Sequence, residues 1–143
     1  CIRDRSDGGA HCGVITDASF PTYLLSHWVR DRARGPRFSL EKAVAAQTSG
    51  TAALYGLHDR GTIVPGMKAD LNVIDFDALQ LHEPKMVHDL PAGGRRLIQE
   101  ISGYRYTIVS GVVTYEDGTP TGKLPGKLVR GIQHADAEKL AAE

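Results

Sequence analysis

At Gly56 the apolar residues of this chain change their spacing, and that break constrains the fold more than any other feature. Between Pro21 and Arg34, Leu24, Leu25, Trp28 and Val29 fall on one stripe, the pattern of a helix that buries a single face. Pro21 suits a first helical turn, where its missing N–H has no intrahelical acceptor, and Gly35-Pro36 is expected to close the helix. Ser39 is placed to cap a second helix running to Gln47, and Thr51 to cap a short third one ending at Tyr55. Gly56 then takes the left-handed position that follows a helix.

After Gly56 the periodicity is that of strands. Gly61 to Gly66 reads as a short strand entering a turn, and Ala69 to Phe76 as a strand apolar on both faces and therefore buried. Pro84 to His88 is a further strand, followed by a loop from Asp89 to Gly94. Tyr104–Val109 and Val112–Tyr115 are β-branched and aromatic runs separated by Ser110-Gly111, a two-residue hairpin turn, and Asp117-Gly118 ends the hairpin. The Ala/Glu/Lys-rich tail from Ile132 to Glu143 is compatible with a helix. Helices first and strands afterwards describe an α/β chain that crosses from one architecture into another.

Composition narrows the function classes. Of 143 residues, 41% are hydrophobic and 24% charged, as in a folded globular domain. Lys and Arg number 17 and Asp and Glu 17, so no net charge calls for nucleic acid or an anionic membrane surface. No apolar run approaches the roughly 18 residues of a membrane span and no signal peptide opens the chain, so a cytoplasmic location is expected. The first residue is Cys1 rather than Met, which points to a piece of a longer chain. Cys1 and Cys12 lack the paired spacing of a zinc ribbon and read as ordinary thiols.

Six histidines, His11, His27, His58, His82, His88 and His134, include no His-x-His or His-x-x-x-His pair, so local spacing supports no self-contained metal site. The sharper feature is Ser6-Asp7-Gly8-Gly9-Ala10-His11, where two glycines let the backbone bend tightly beside a carboxylate. Asp-Gly-Gly by itself is commonly only a turn, and Asp17, in the same loop, reads as a cap for the next helix. No strand-Gly-x-Gly-x-x-Gly-helix arrangement offers a phosphate cradle.

Five separated segments together resemble one family. Gly61-Thr-Ile-Val-Pro-Gly-Met-Lys-Ala-Asp70-Leu-Asn-Val-Ile-Asp75 is similar to the stretch in amidohydrolases where the chain leaves a metal-dependent (β/α)8 barrel for a small β-sandwich. The Ser6–His11 run resembles the end of barrel strand 8, and Leu40–Val44 with Thr51–Ala53 resembles the helices behind it. Asp89–Leu97 and Thr121–Gly131 are similar to the C-terminal part of the N-acyl-D-amino-acid deacylase, or D-aminoacylase-like, branch. The resemblance covers residues 6–131. It implies that residues 1–56 are the C-terminal end of the catalytic barrel domain, 57–131 a β-sandwich segment and 132–143 a tail.

In that family a zinc ion held mainly by His and Cys ligands from earlier strands polarises an amide carbonyl and acidifies a water. By position Asp7 is the carboxylate that takes the water's proton and passes it to the leaving nitrogen. His11 is placed to reach the substrate or the surroundings of the metal. Asp7 alone of these residues is a possible metal ligand, the other ligands lying outside this chain. Asp70 and Asp75 read as turn and capping residues of the sandwich. The resemblance implies a small-molecule N-acyl amino acid or related amide as substrate, and a piece that is inactive by itself. Two other readings stay open: a non-catalytic module that self-associates as a homo-oligomer through apolar faces, and an amidohydrolase acting on cyclic amides or ureas.

Overall fold

The computed structural model describes His11 and residues 13–135. It is a mixed helix and strand structure in which every strand pair is antiparallel. The chain divides into two interleaved units, one made of Cys1–Ala43 and Phe76–Gly103, the other of Val44–Asp75 and Tyr104–Glu143. No helix among the described residues is long and apolar enough to cross a membrane.

In the first unit a 3-10 turn, Asp17–Ser19, leads into α1, Phe20–Tyr23, with Pro21 in the first turn as the sequence predicts. The helix then widens into a π-helical stretch, Leu24–Asp31. There the Arg32 N–H reaches back five residues to the His27 carbonyl at 2.8 Å. Leu24 and Leu25 are 2% and 5% exposed, so the expected stripe does face the interior. The helix stops at Asp31 rather than running to Arg34, because Arg32 turns extended at φ −59°, ψ 121°. Arg37 Nε donates to the Arg32 carbonyl at 2.8 Å and fixes the reversal. Helix α2, Leu40–Gln47, starts where expected: the Lys42 N–H donates to Ser39 Oγ at 3.3 Å, a side-chain cap.

The remaining elements of the first unit are two ribbons. β2, Gln80–Leu81, pairs with β5, Ile101–Ser102. β3, Lys85–Leu90, pairs with β4, Gly94–Ile98, through a 3-10 turn at Pro91–Gly93. The strand expected at Pro84–His88 is therefore present and extends to Leu90. The Arg30 guanidinium holds the entry to β2 by donating to the carbonyls of Phe76, Asp77 (3.1 Å) and Leu79 (2.8 Å). Leu79, which it anchors, is fully buried. Gly103 lies at φ +100°, and a Cβ there would stand 2.6 Å from the Leu79 Cα.

In the second unit α3, Ser49–Leu54, begins one turn earlier than expected, after Thr48 rather than at Thr51. Thr51 instead donates its hydroxyl to the Ala46 carbonyl at 2.7 Å. Gly56 is left-handed at φ +69°, as predicted. β1, Leu71–Ile74, β6, Tyr104–Val109, β7, Val112–Glu116, and β8, Thr119–Pro120, form a sheet in the order β1-β6-β7-β8. Ser110-Gly111 joins β6 to β7 with φ +52° and +78°, and Asp117-Gly118 joins β7 to β8 with +44° and +78°. Both are the positive-φ pairs that match the twist of a tight hairpin.

Two strand expectations need correction. Residues 61–66 form no strand: Gly61 and Gly66 both have positive φ, and the Lys68 N–H closes the loop on the Asp59 carbonyl at 2.7 Å. β1 is not buried on both faces, since Val73 is 46% exposed. Alternation cannot reveal that a strand lies at a sheet edge, as β1 does. Of the tail, residues 132–135 are not helical and Gln133 makes a parallel bridge with Leu57; the rest lies outside the described residues.

Gly103 supplies a direct test. Gly103→Ala adds positive-φ strain to a clash with backbone that no side-chain motion relieves, whereas Gly93 at φ +72° has open space around its Cβ position. Urea unfolding is expected to show Gly93→Ala costing about 1 kcal/mol and Gly103→Ala at least about 2 kcal/mol. Equal costs would contradict the close approach to Leu79.

Candidate functional site

Of the two residues singled out for chemistry, Asp7 lies outside the described residues, as does Cys12. His11 is exposed and left-handed at φ +56°, and its carbonyl accepts from the N–H groups of Val14 (2.9 Å) and Ile15 (3.1 Å). This turn carries the chain through Gly13, whose Cβ position lies 3.8 Å from the Arg95 carbonyl of β4. Where the loop enters α1, Ser19 Oγ donates to the Thr16 carbonyl at 3.0 Å. Asp17 sits in the first turn of the 3-10 helix, where a carboxylate is favoured by the exposed N–H groups; the N-cap position belongs to Thr16.

Behind this loop the helical stretch carries a ladder of rings. Tyr23 and His27 stack with centroids 4.8 Å apart, His27 meets Trp28 edge-on at 5.7 Å, and Trp28 lies 5.9 Å from Phe38. Arg32 lies over the Trp28 ring at 4.2 Å. His27 is thus a packing residue. Asp31 is held below the usual carboxylate range by its hydrogen bonds from Arg30.

The Gly61–Asp75 segment shows why its residue types occur at their positions. The Asp70 carboxylate accepts from the backbone N–H of Ser110 at 2.8 Å and from Arg60 at 2.8 Å. The Gly111 N–H donates to the neighbouring Ala69 carbonyl at 2.9 Å. Ala69-Asp70 therefore grips the β6–β7 turn from forty residues away. Arg60 completes the link with a two-pronged hydrogen bond to Asp59 at 2.8 Å on each arm, which depresses the Asp59 pKa and raises that of Arg60. Gly61, at φ +95°, passes within 3.0 Å of the Ser49 Cα when given a Cβ, so only glycine fits there. Asp70 is a turn cap as expected, and Asp75 pairs at 3.2 Å with Arg105, which also meets Asp117 at 3.1 Å.

The other histidines occupy varied settings. His82 Nε2 lies 3.2 Å from Ser102 Oγ across the β2–β5 ribbon, and His88 is exposed on β3. His58 and His134 face each other with centroids 6.3 Å apart. Sequence reasoning missed that pair because the bridge bringing them together spans most of the chain. Among the described residues no group of three or more His, Cys, Asp or Glu side chains gathers as a metal site. A groove of about 450 Å3 between β7, β8 and residues 122–126 has Tyr115 and Lys123 as its ionisable lining residues, which is not an acid–base pair.

The Arg60 link makes a pH prediction. A carboxylate whose folded pKa is depressed adds stability above its unfolded pKa of about 3.9, and that stability is lost as pH falls through the lower folded value. Arg60→Met is expected to cost about 1–3 kcal/mol at pH 7, between the exposed and buried limits, because Asp59 and Asp70 are each less than one-third exposed. Chemical denaturation across pH should show the gap between variant and wild type closing below about pH 4. A gap independent of pH would contradict the assignment to Asp59.

Comparison with known proteins agrees with the motif geometry. The amidohydrolase family matches residues 5–115, which include the whole Gly61–Asp75 segment and the turn it grips. The chain is also similar to an N-acyl-D-glutamate deacylase of Alcaligenes xylosoxydans xylosoxydans, with 29% identity over 133 residues. That alignment takes in 91% of this chain and 24% of the deacylase, so the chain spans about a quarter of its curated relative's length. No solved structure matches. The chain belongs to the amidohydrolase family, and its likeness there runs to the D-aminoacylase-like branch.

Proposed function

We propose that this chain is the C-terminal part of a zinc-dependent amidohydrolase that cleaves the amide bond of N-acyl D-amino acids or closely related amides. The observation that carries the reading is the family match over residues 5–115, joined to the likeness to an N-acyl-D-glutamate deacylase. In this reading residues 1–56 close the catalytic barrel and residues 57–131 belong to the β-sandwich. The described residues do not make up a zinc ligand set. In this reading most of the ligands come from the part of the parent outside this chain, with Asp7 a possible one.

The chemistry assigned to this chain is proton transfer at Asp7. Its carboxylate takes a proton from the attacking water as the water oxygen bonds to the amide carbonyl carbon. It then returns that proton to the nitrogen as the C–N bond breaks, leaving a carboxylate and a free amino acid. The glycines at 8 and 9 allow the backbone to bend tightly beside this carboxylate. His11, exposed and held in a left-handed turn four residues later, is assigned to the substrate-facing side of the same loop.

A second reading rests on exposed apolar side chains of the second unit. Leu54, Tyr55, Ile63, Leu124 and Leu128 are all at least 65% exposed. In that reading the chain is a non-catalytic module that self-associates. Sedimentation of the isolated chain separates the readings only together with activity, since either admits an oligomer.

In the intact parent, Asp7→Asn should keep fold and bound metal and lower kcat about 10²–10⁴-fold, with KM changed far less, because an amide cannot accept the proton. The isolated 143-residue chain should release no amino acid from N-acyl D- or L-amino acids. A full-length Asp7→Asn variant with near-normal kcat would remove Asp7 from the mechanism.

A further inference from the structure

The parallel bridge between Leu57 and Gln133 fixes two backbones side by side: the His58 N–H donates to the Gln133 carbonyl at 3.0 Å, and the Gln133 N–H to the Gly56 carbonyl at 2.9 Å. The residues that follow the bridge are then neighbours in register, on strands roughly 5 Å apart. Those residues are His58 and His134. Both are exposed, and their rings stand 6.3 Å apart between centroids with planes inclined by 30°.

We propose that His58 and His134 form a two-histidine chelate for a divalent transition-metal ion of the kind that prefers imidazole, such as zinc, nickel or copper(II). An imidazole nitrogen binds zinc at about 2.0–2.1 Å, so two rings sharing one ion have centres roughly 5–6.5 Å apart, depending on the angle at the metal. The observed 6.3 Å corresponds to a wide, near-linear angle at the metal, and side-chain rotation must bring the rings about 1 Å closer for tetrahedral coordination. Neutral imidazole is the ligand that these ions favour over the oxygen donors suited to magnesium or calcium. The backbone bonds of the bridge hold the two Cα positions side by side before any ion arrives, which lowers the ordering cost of chelation.

Among the described residues no third His, Cys, Asp or Glu joins the pair. A two-donor site of this kind exchanges its metal readily. Its consequence is structural. An ion here staples the end of α3 to the chain segment around Gln133, reinforcing a contact that already includes Ile132 against Gly56. Because the unfolded chain does not hold the two rings together, bound metal stabilises the folded form. The proposal rests on His58 and His134 and not on the zinc of the proposed hydrolytic reaction.

The test uses the full 143-residue chain and nickel chloride as the probe, with calorimetric titration and thermal unfolding as readouts. One saturable nickel ion per chain is expected, with a rise in Tm that grows with nickel concentration. His58→Asn and His134→Asn should each weaken binding on the order of 10²-fold, as much as the double variant does, because losing either donor removes the chelate. Both are exposed positions, and circular dichroism of each variant is expected to match that of wild type. His88→Asn, on β3, should bind as wild type does. Wild type without saturable binding, or either single variant with undiminished affinity, would overturn the proposal.

Discussion

The Asp70 carboxylate is the point on which the second unit depends. One oxygen accepts from the backbone of the β6–β7 turn at Ser110, the other from Arg60, and Arg60 is in turn held by Asp59. The two donors fix the orientation of the carboxylate. Each side chain is less than one-third exposed, so the attraction is screened less than at an open surface. The loop from Asp59 to Asp70 and the turn at Ser110-Gly111 are thereby set against each other. β1, which begins one residue after Asp70, enters the sheet in a fixed register beside β6.

That arrangement accounts for much of what makes the Gly61–Asp75 segment recognisable. Gly61 is required by its positive φ and by the nearness of Ser49; Asp70 is required by two donors, one of them forty residues away. Arg30 performs a comparable task in the first unit, spending its guanidinium on the carbonyls of Phe76, Asp77 and Leu79 beside a fully buried leucine. In both units a charged side chain organises backbone rather than carrying chemistry.

Local patterns were legible in the sequence and long-range ones were not. The buried stripe at Leu24 and Leu25, the Ser39 cap and the Ser110-Gly111 turn all follow from residues within a few positions of one another. The early helix end at Asp31 escaped because it depends on Arg37 reaching back to the Arg32 carbonyl. Ile63-Val64 resembles a strand in composition, yet the bond from Lys68 to Asp59 closes it as a loop. The pairing of His58 with His134 is set by a bridge between distant segments, which spacing rules for one helix or strand do not address. The candidate catalytic loop rests on its Asp-Gly-Gly run and its resemblance to a family, and Asp7 lies outside the described residues. Of that loop the structure describes the His11 turn, which positions the chain for α1.

Family membership and the hydrolytic reading meet at one observable, the stereochemistry of the amino acid released. The most direct measurement is the rate of free amino acid release by the intact protein that contains this chain, with paired N-acetyl-D- and N-acetyl-L-amino acids, acidic side chains included. The account predicts metal-dependent release with a clear preference for the D series. Absence of amide cleavage with either series by the metal-loaded protein would contradict it.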